Sequence, residues 1–335
     1  MDKDFAAKRF KPSRLNKKKN PQKEEVKKTS RGLIVGLFIG TISLSLFLWQ
    51  KPELGKWWDN LRQPATYEII NPEIADEQLI RISQSLYSPD DVVDGIKELV
   101  ETFKGICGVY VEPLEGGATY GINQDEEFIG ASVNKVLIMA QVLREIEEGK
   151  LDFKNEYRLQ KKDIQNYGTG SMRYASLGAV YTIEELLRLT GKSSDNTAAH
   201  VLNLMLGKNK LNDFIKELKM EKTSMKENIT TPAEMGQFFS KVYHGEILSE
   251  SLQERFYQYL TLTEFEERIP VGVSNLVSVA HKIGTEAQII NDCGIIFDKK
   301  HPYVLCIFSK GAKESQALEV LPKISALVWT YESQR

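Results

Sequence analysis

The sequence predicts an α+β fold in which the two ends of one domain share a sheet and an all-helical subdomain is inserted between them. Three observations carry this. Strand-like runs, ICGVYVEPL and ATYGIN, occupy residues 106–123. Helical periodicity then dominates from Ser132 to Phe239. Strand character returns in SVAHKIG, QIINDCGIIFD and HPYVLCIFS before a closing helix, ALEVLPKISALVWTY, interrupted by Pro322. No internal repeat is visible, and 23 Gly with 11 Pro in 335 residues exclude collagen-like or wholly disordered chains.

What precedes this domain is of different composition. Residues 1–32 hold twelve Lys/Arg against four Asp/Glu, a net of +8, so the rest carries −10 of a total −2. The tail (1–31) has too few apolar residues to fold alone. Gly32 to Trp49 is 18 residues without a charge, about 27 Å as a helix, close to the hydrocarbon thickness of a bilayer. No small-residue cleavage site follows, so 32–50 reads as a retained signal anchor, one transmembrane helix, rather than a cleaved leader. The basic flank then stays cytoplasmic and the remainder crosses, which places the domain outside the membrane. Beside a span, the basic tail reads as a topology signal touching anionic lipid and not as a nucleic-acid arm. Residues 51–88, with Pro52, Pro64 and Pro72, read as a juxtamembrane linker, and 89–335 as the working domain.

Within that domain, Val93, Ile96, Val100 and Phe103 give an amphipathic helix ended by Gly105. After the hairpin around Glu115-Gly116-Gly117, SVNKVLIMAQVLREIEEGK predicts a buried helix stopping at Gly149. Thr182 with Glu185 forms a capping-box pattern, TAAHVLNLML and LNDFIKELKM are helical, and Thr231-Pro232 starts another helix. Cys107, Cys293 and Cys306 fall in predicted strands, as buried thiols or, in an oxidising compartment, a cross-strand disulfide.

Three short patterns could carry chemistry. Ser132-Val133-Asn134-Lys135 opens the buried helix, so a hydroxyl and an amine meet on one face at its amino end. Burial lowers an amine's pKa and suits it to act as a base, while a helix amino terminus favours developing negative charge. Ser194-Asp195-Asn196 lies between two helices, and Lys282-Ile283-Gly284-Thr285 lies on a strand. Singly, each has a bland account: a serine N-cap with a snorkelling lysine, an N-cap, an edge strand guarded by lysine. His200, His244, His281 and His301 show neither metal spacing nor the context of a serine–histidine triad.

Together and in this order, the patterns resemble the S-x-x-K, S-D-N and K-T-G motifs of the class A β-lactamase and penicillin-binding serine acyl-enzyme superfamily. The resemblance runs from about Asp90 to Tyr331 and includes Thr230–Pro232 and Asn291-Asp292. It implies a β-lactamase/transpeptidase-like antiparallel sheet flanked by helices, and a serine hydrolase without metal or other cofactor. The substrate would be a β-lactam or a peptidoglycan acyl-D-amino-acid bond. Ser132 would be the nucleophile and Lys135 its base, while Ser194 would relay a proton and Asn196 orient Lys135. Lys282, Gly284 and Thr285 would bind substrate, with Lys282 meeting its carboxylate, and Tyr167 would wall the pocket mouth. The N–H groups of Ser132 and Thr285 would form the oxyanion hole.

Two departures stand out. Ile283 replaces the hydroxyl residue of the third motif, a loss for which Thr285 partly compensates. Between Met220 and Thr231 there is no room for the long loop whose glutamate activates water in class A β-lactamases, and Glu221 and Glu227 read as solvated surface carboxylates. The expectation is an acyl-enzyme that hydrolyses slowly. The alternatives are a DD-peptidase-like penicillin-binding protein and a module that senses β-lactam or wall fragments without turnover.

Overall fold

Strands from both ends of the domain meet in one five-stranded sheet. The structure, a computed structural model, describes residue 71 and residues 73–335. The basic tail, the membrane span and most of the expected linker lie outside the described residues. Among the described residues no helix is long and apolar enough to cross a membrane.

Two helices open the domain, α1 (Glu77–Ser83) and α2 (Pro89–Leu99). Then come β1 (Ile106–Pro113), β2 (Tyr120–Ile122), β3 (Phe128–Ile129) and a 3₁₀ turn, Ala131–Asn134, that runs into α3 (Lys135–Glu147). The inserted region holds β4 (Glu156–Arg158), β5 (Val180–Thr182), α4 (Ile183–Lys192), α5 (Asn196–Leu206) and α6 (Lys210–Glu217). It continues through β6 (Ile229–Thr230), α7 (Pro232–Tyr243) and α8 (Glu250–Leu260). The chain returns to the sheet with β7 (Ser278–Glu286), β8 (Ile289–Phe297) and β9 (Tyr303–Lys310), and closes with α9 (Glu314–Glu332).

The sheet order is β2-β1-β9-β8-β7, with every neighbouring pair antiparallel. Its central strands are buried on both faces because helices cover both. One core joins Leu79, Ile96, Leu321 and Trp329 of α1, α2 and α9 to Val109, Ile296 and Leu305 of the sheet. The other joins Leu137 and Met139 of α3 and Phe238 of α7 to Tyr110, Ile295 and Phe308. Nine of the thirteen residues of α3 are buried, because it runs between the sheet and the helical insertion. β7 is left as an edge strand, and the candidate site lies along it.

Several expectations are corrected. Part of the expected linker is helical: α1 is capped by Asp76 and buries Leu79 and Ile82, and Lys323 of α9 bonds Asp76 at 2.6 Å. The helix after Pro89 stops at Leu99 rather than Gly105. The buried helix begins as a 3₁₀ turn and becomes α-helical only at Lys135. Pro322 does not interrupt α9, which is continuous over 19 residues. α8 and the two-stranded ribbons β3–β6 and β4–β5 had no sequence expectation, and strands of two or three residues are too short to show a period. The capping box of Thr182 and Glu185 and the Thr231 cap of α7 stand as read.

Cys293 and Cys306 are directly opposed on β8 and β9 and are disulfide-bonded. Cys107 is a free buried thiol, pushed up to about 12 by burial.

Candidate functional site

The 3₁₀ turn that carries Ser132 is held from three sides. Asn291 of β8 donates to Ile129 O at 2.8 Å and accepts from the Ser309 N–H at 3.0 Å, which ties the turn to the sheet. Asn134 donates to Asn228 Oδ1 at 3.0 Å, and the Gly130 N–H donates to Asn228 O at 2.7 Å. On the third side β7 comes so close at Gly284 that a Cβ there would lie 2.6 Å from Gly130 O. Ala131, just before Ser132, has φ +48, a left-handed conformation that a non-glycine residue keeps only where its surroundings impose it. The early N–H groups of such a turn have no intrahelical acceptor and remain available to an anion.

Lys135, three residues on, lies over the second motif. Its Nζ is 2.5 Å from Ser194 O, 2.5 Å from Asn196 Oδ1 and 3.4 Å from Ser194 Oγ. Burial lowers its pKa to about 7, against the opposing pull of Asp195. A carbonyl and an amide oxygen can only accept. A neutral Lys135 therefore commits its two N–H groups to them and keeps its lone pair for an incoming proton.

The second motif is strained and braced. Ser194 is buried with φ +53. Asp195 caps α5 through the Ala198 N–H at 2.9 Å and accepts from the Met172 N–H at 2.8 Å. Asn196 donates to Tyr167 O at 2.9 Å, and Thr169 donates to Ser194 O at 3.0 Å. Gly168 and Gly170, both at positive φ, let the 165–172 segment press against Asn196 and Asp195. Tyr167 stays 66% exposed, at the mouth and not in the wall of a packed interior.

These groups converge on one cleft of about 820 Å³, lined by Ser132, Lys135, Ser194, Asn196, Tyr167, Ile283 and Thr285. Lys282 and Gly284 flank Ile283 on β7 but are not among the lining residues. Gly284 serves the close approach of β7 to the Ser132 turn. Lys282 is 1% exposed and, among the described residues, donates to Ile283 O at 3.3 Å. Burial first, then the charges of Lys135 and Arg268, hold its amine well below the ordinary lysine value, against Asp292.

The fixed positive charge on the cleft wall is Arg268, which the sequence did not reveal. It is buried, and it donates to Asn291 O at 2.6 Å, Gly284 O at 3.1 Å and Thr285 Oγ1 at 2.7 Å. Because a guanidinium only donates, the Thr285 oxygen accepts and its O–H is free to meet a carboxylate. Ile283 lines the cleft beside it. Arg268 lies in a loop with no motif and no periodicity, so no sequence signal marks it. Asp292 acts away from the cleft, where it accepts from Ile269 N–H at 3.1 Å and pairs with His281 at 2.8 Å. Burial opposes charge on His281, but Asp292 and Glu266 outweigh it and raise the imidazole to about 9.

The short 220–231 segment sends Met225 and Asn228 to the cleft, while neither Glu221 nor Glu227 is among its lining residues. Two further residues that no sequence pattern had placed here are His200 and Asn203. With Asn196 they form an i, i+4, i+7 row on α5, a signal that was legible once Asn196 was singled out. Among the described residues there is no cluster of acidic, His or Cys side chains that could hold a metal.

Residues 91–331 match the family model described as the beta-lactamase enzyme family. The chain belongs to that family. Like its members, it is a serine hydrolase of the β-lactamase and penicillin-binding superfamily. Among β-lactamase relatives, it is 22% identical over 240 residues to SME-1 of Serratia marcescens, covering 66% of this chain and 81% of that one. It is 24% identical over 298 residues to the extended-spectrum β-lactamase PER-1 of Pseudomonas aeruginosa, covering 80% and 97%. Among solved structures, PBP-A superposes with a TM-score of 0.69 at 23% identity, covering 73% of this chain and 97% of that one. A β-lactamase from Sphaerobacter thermophilus gives 0.68 at 22%, with coverage of 73% and 97%. At these identities the structural likeness bears on the β-lactamase fold alone.

Proposed function

We propose that this β-lactamase family member is a membrane-anchored serine acyl-enzyme. Its substrate is a β-lactam or the acyl-D-amino-acid bond of a peptidoglycan fragment. Ser132 attacks the carbonyl, Lys135 takes its proton, and Ser194 passes a proton to the departing nitrogen. The N–H groups of Ser132 and Thr285 receive the oxyanion. The observation that carries this reading is Lys135: lowered to about 7, its two N–H groups are matched by two oxygens that only accept. The substrate carboxylate meets Arg268 and the Thr285 hydroxyl, a bidentate donor and a short one in place of the hydroxyl that Ile283 lacks. A PBP-A mutant has been solved as an acyl-enzyme with penicillin G, which supports the choice of ligand class.

The anchor is the uncharged run Gly32–Trp49 behind a +8 tail. The Cys293–Cys306 disulfide supports a domain outside the cytoplasm, since such bonds persist in oxidising compartments. Fractionation tests this part: the full chain sediments with membranes, and a chain lacking residues 1–50 that still sediments would sink it.

For the chemistry, intact-mass spectrometry after penicillin treatment is expected to show one adduct on the wild type and none on Ser132→Ala. An unmodified wild type across several β-lactams overturns the reading. Fast acylation with no release would favour the sensing module over the hydrolase.

A further inference from the structure

An acyl-enzyme is a hydrolase only if water is activated to release it, and the glutamate expected to do so has no counterpart in the cleft. The 220–231 segment contributes Met225 and Asn228, neither of which takes a proton near neutral pH, and Glu221 and Glu227 lie elsewhere. Glu267, Glu286 and Glu314 do reach the cleft. They belong to its Arg268–Thr285 side: Glu267 precedes and pairs with Arg268, and Glu286 follows Thr285. To the same cleft α5 presents Asn196 and then, one turn later, His200 and Asn203.

Four residues along a helix are about 6 Å along its axis on the same face. His200 therefore stands one turn beyond the amide that fixes Lys135, in the cleft that Ser132 also lines. It is half-buried, and among the described residues its ring nitrogens have no hydrogen-bond partner. Those nitrogens are not buried, so water in the cleft can reach them. An imidazole nitrogen without a protein partner can accept a proton from a bound water, as general base catalysis requires.

We infer that His200 is the catalytic base for deacylation, activating the water that releases the acyl group from Ser132. This rests on the acyl-enzyme reading above. The neutral imidazole takes one proton from water as the water oxygen bonds to the acyl carbon. The tetrahedral species then collapses, the bond from carbon to Ser132 Oγ breaks, and the proton passes to that oxygen. Serine is regenerated, and the product leaves as a carboxylic acid that ionises in solvent. Asn203 and Asn228 supply donors and acceptors to hold the water but take no proton.

The test is a single-turnover experiment on the full chain with a fluorescent penicillin, following formation and loss of the adduct separately. In His200→Ala, acylation is expected to stay within a few-fold of wild type while deacylation falls about 10²–10³-fold, the usual range for a lost general base. His200→Gln, polar but not basic, is expected to trap the same adduct and guards against a folding defect in the alanine variant. Added imidazole is expected to restore part of the deacylation rate of His200→Ala. An adduct lost equally fast from wild type and both variants overturns the role of His200 alone, as does a wild-type adduct that never leaves. Absence of any wild-type adduct overturns the Ser132 reading, and this inference with it.

Discussion

Lys135 Nζ lies 2.5 Å from Asn196 Oδ1, and that contact joins the first motif to the second. The amide accepts from the amine and donates through its other end to Tyr167 O at 2.9 Å. Asn196 is thus fixed in orientation by the mouth of the cleft before it fixes Lys135. Its neutrality matters as much as its position. Lys135 is lowered by burial to about 7, and a charge beside it would undo this.

Asn196→Asp is the direct consequence. A carboxylate next to Lys135 favours its protonated form and moves its titration above about 7. On the proposed mechanism only the neutral amine accepts the Ser132 proton, so acylation by penicillin at pH 7 is expected to drop about ten-fold or more and to recover as pH rises. Acylation rates measured from pH 6 to 10 check this. An unshifted profile would remove Lys135 as the base.

Lys282→Met is expected to stabilise the fold. An unfolded lysine keeps its proton to about pH 10, whereas folded Lys282 gives it up well below that value because it is buried. Between those limits the unfolded state binds more protons, so wild-type stability rises with pH. Methionine abolishes this burden. The variant should be more stable by about 1–3 kcal/mol at pH 7, with the gap closing toward pH 10. Urea unfolding at pH 7 and 9 measures it; a gap independent of pH contradicts the argument.

Arg268→Lys separates binding from chemistry. Lysine keeps the charge but not the fork that serves Gly284 O, Asn291 O and Thr285 Oγ1. The penicillin concentration for half-maximal acylation is expected to rise about ten-fold, with the maximal rate changed far less. Stability should fall by about 1–2 kcal/mol, because a buried carbonyl loses its donor. Equal losses in both kinetic terms would place Arg268 in the chemical step instead.

Much of the site was legible because its residues sit at fixed short spacings on regular elements. Taken singly, Ser132 with Lys135 and Ser194 with Asn196 had bland accounts; their order along the chain, and the superfamily motifs they resemble, marked them. Lys282 and Gly284 were found on the right strand, on either side of a residue that lines the cleft. Which face of β7 opens to the cleft depends on what packs against it, and Gly284 draws that face onto Gly130. Arg268 was invisible, since a loop residue's partners are set by distant strands and leave no period in the chain.

The sequence by itself determined the α+β plan, the buried character of α3, the caps at Thr182 and Thr231, and the order of the three motifs. Those properties depend on side-chain type and local spacing, which a linear chain records. Only the tertiary structure decided which cation faces the cleft, that Cys293 and Cys306 are opposed and bonded, and that His200 rather than Glu221 or Glu227 lines the cleft. Burial, register and charge proximity are properties of elements brought together from distant parts of the chain, and they exist only once the sheet has closed.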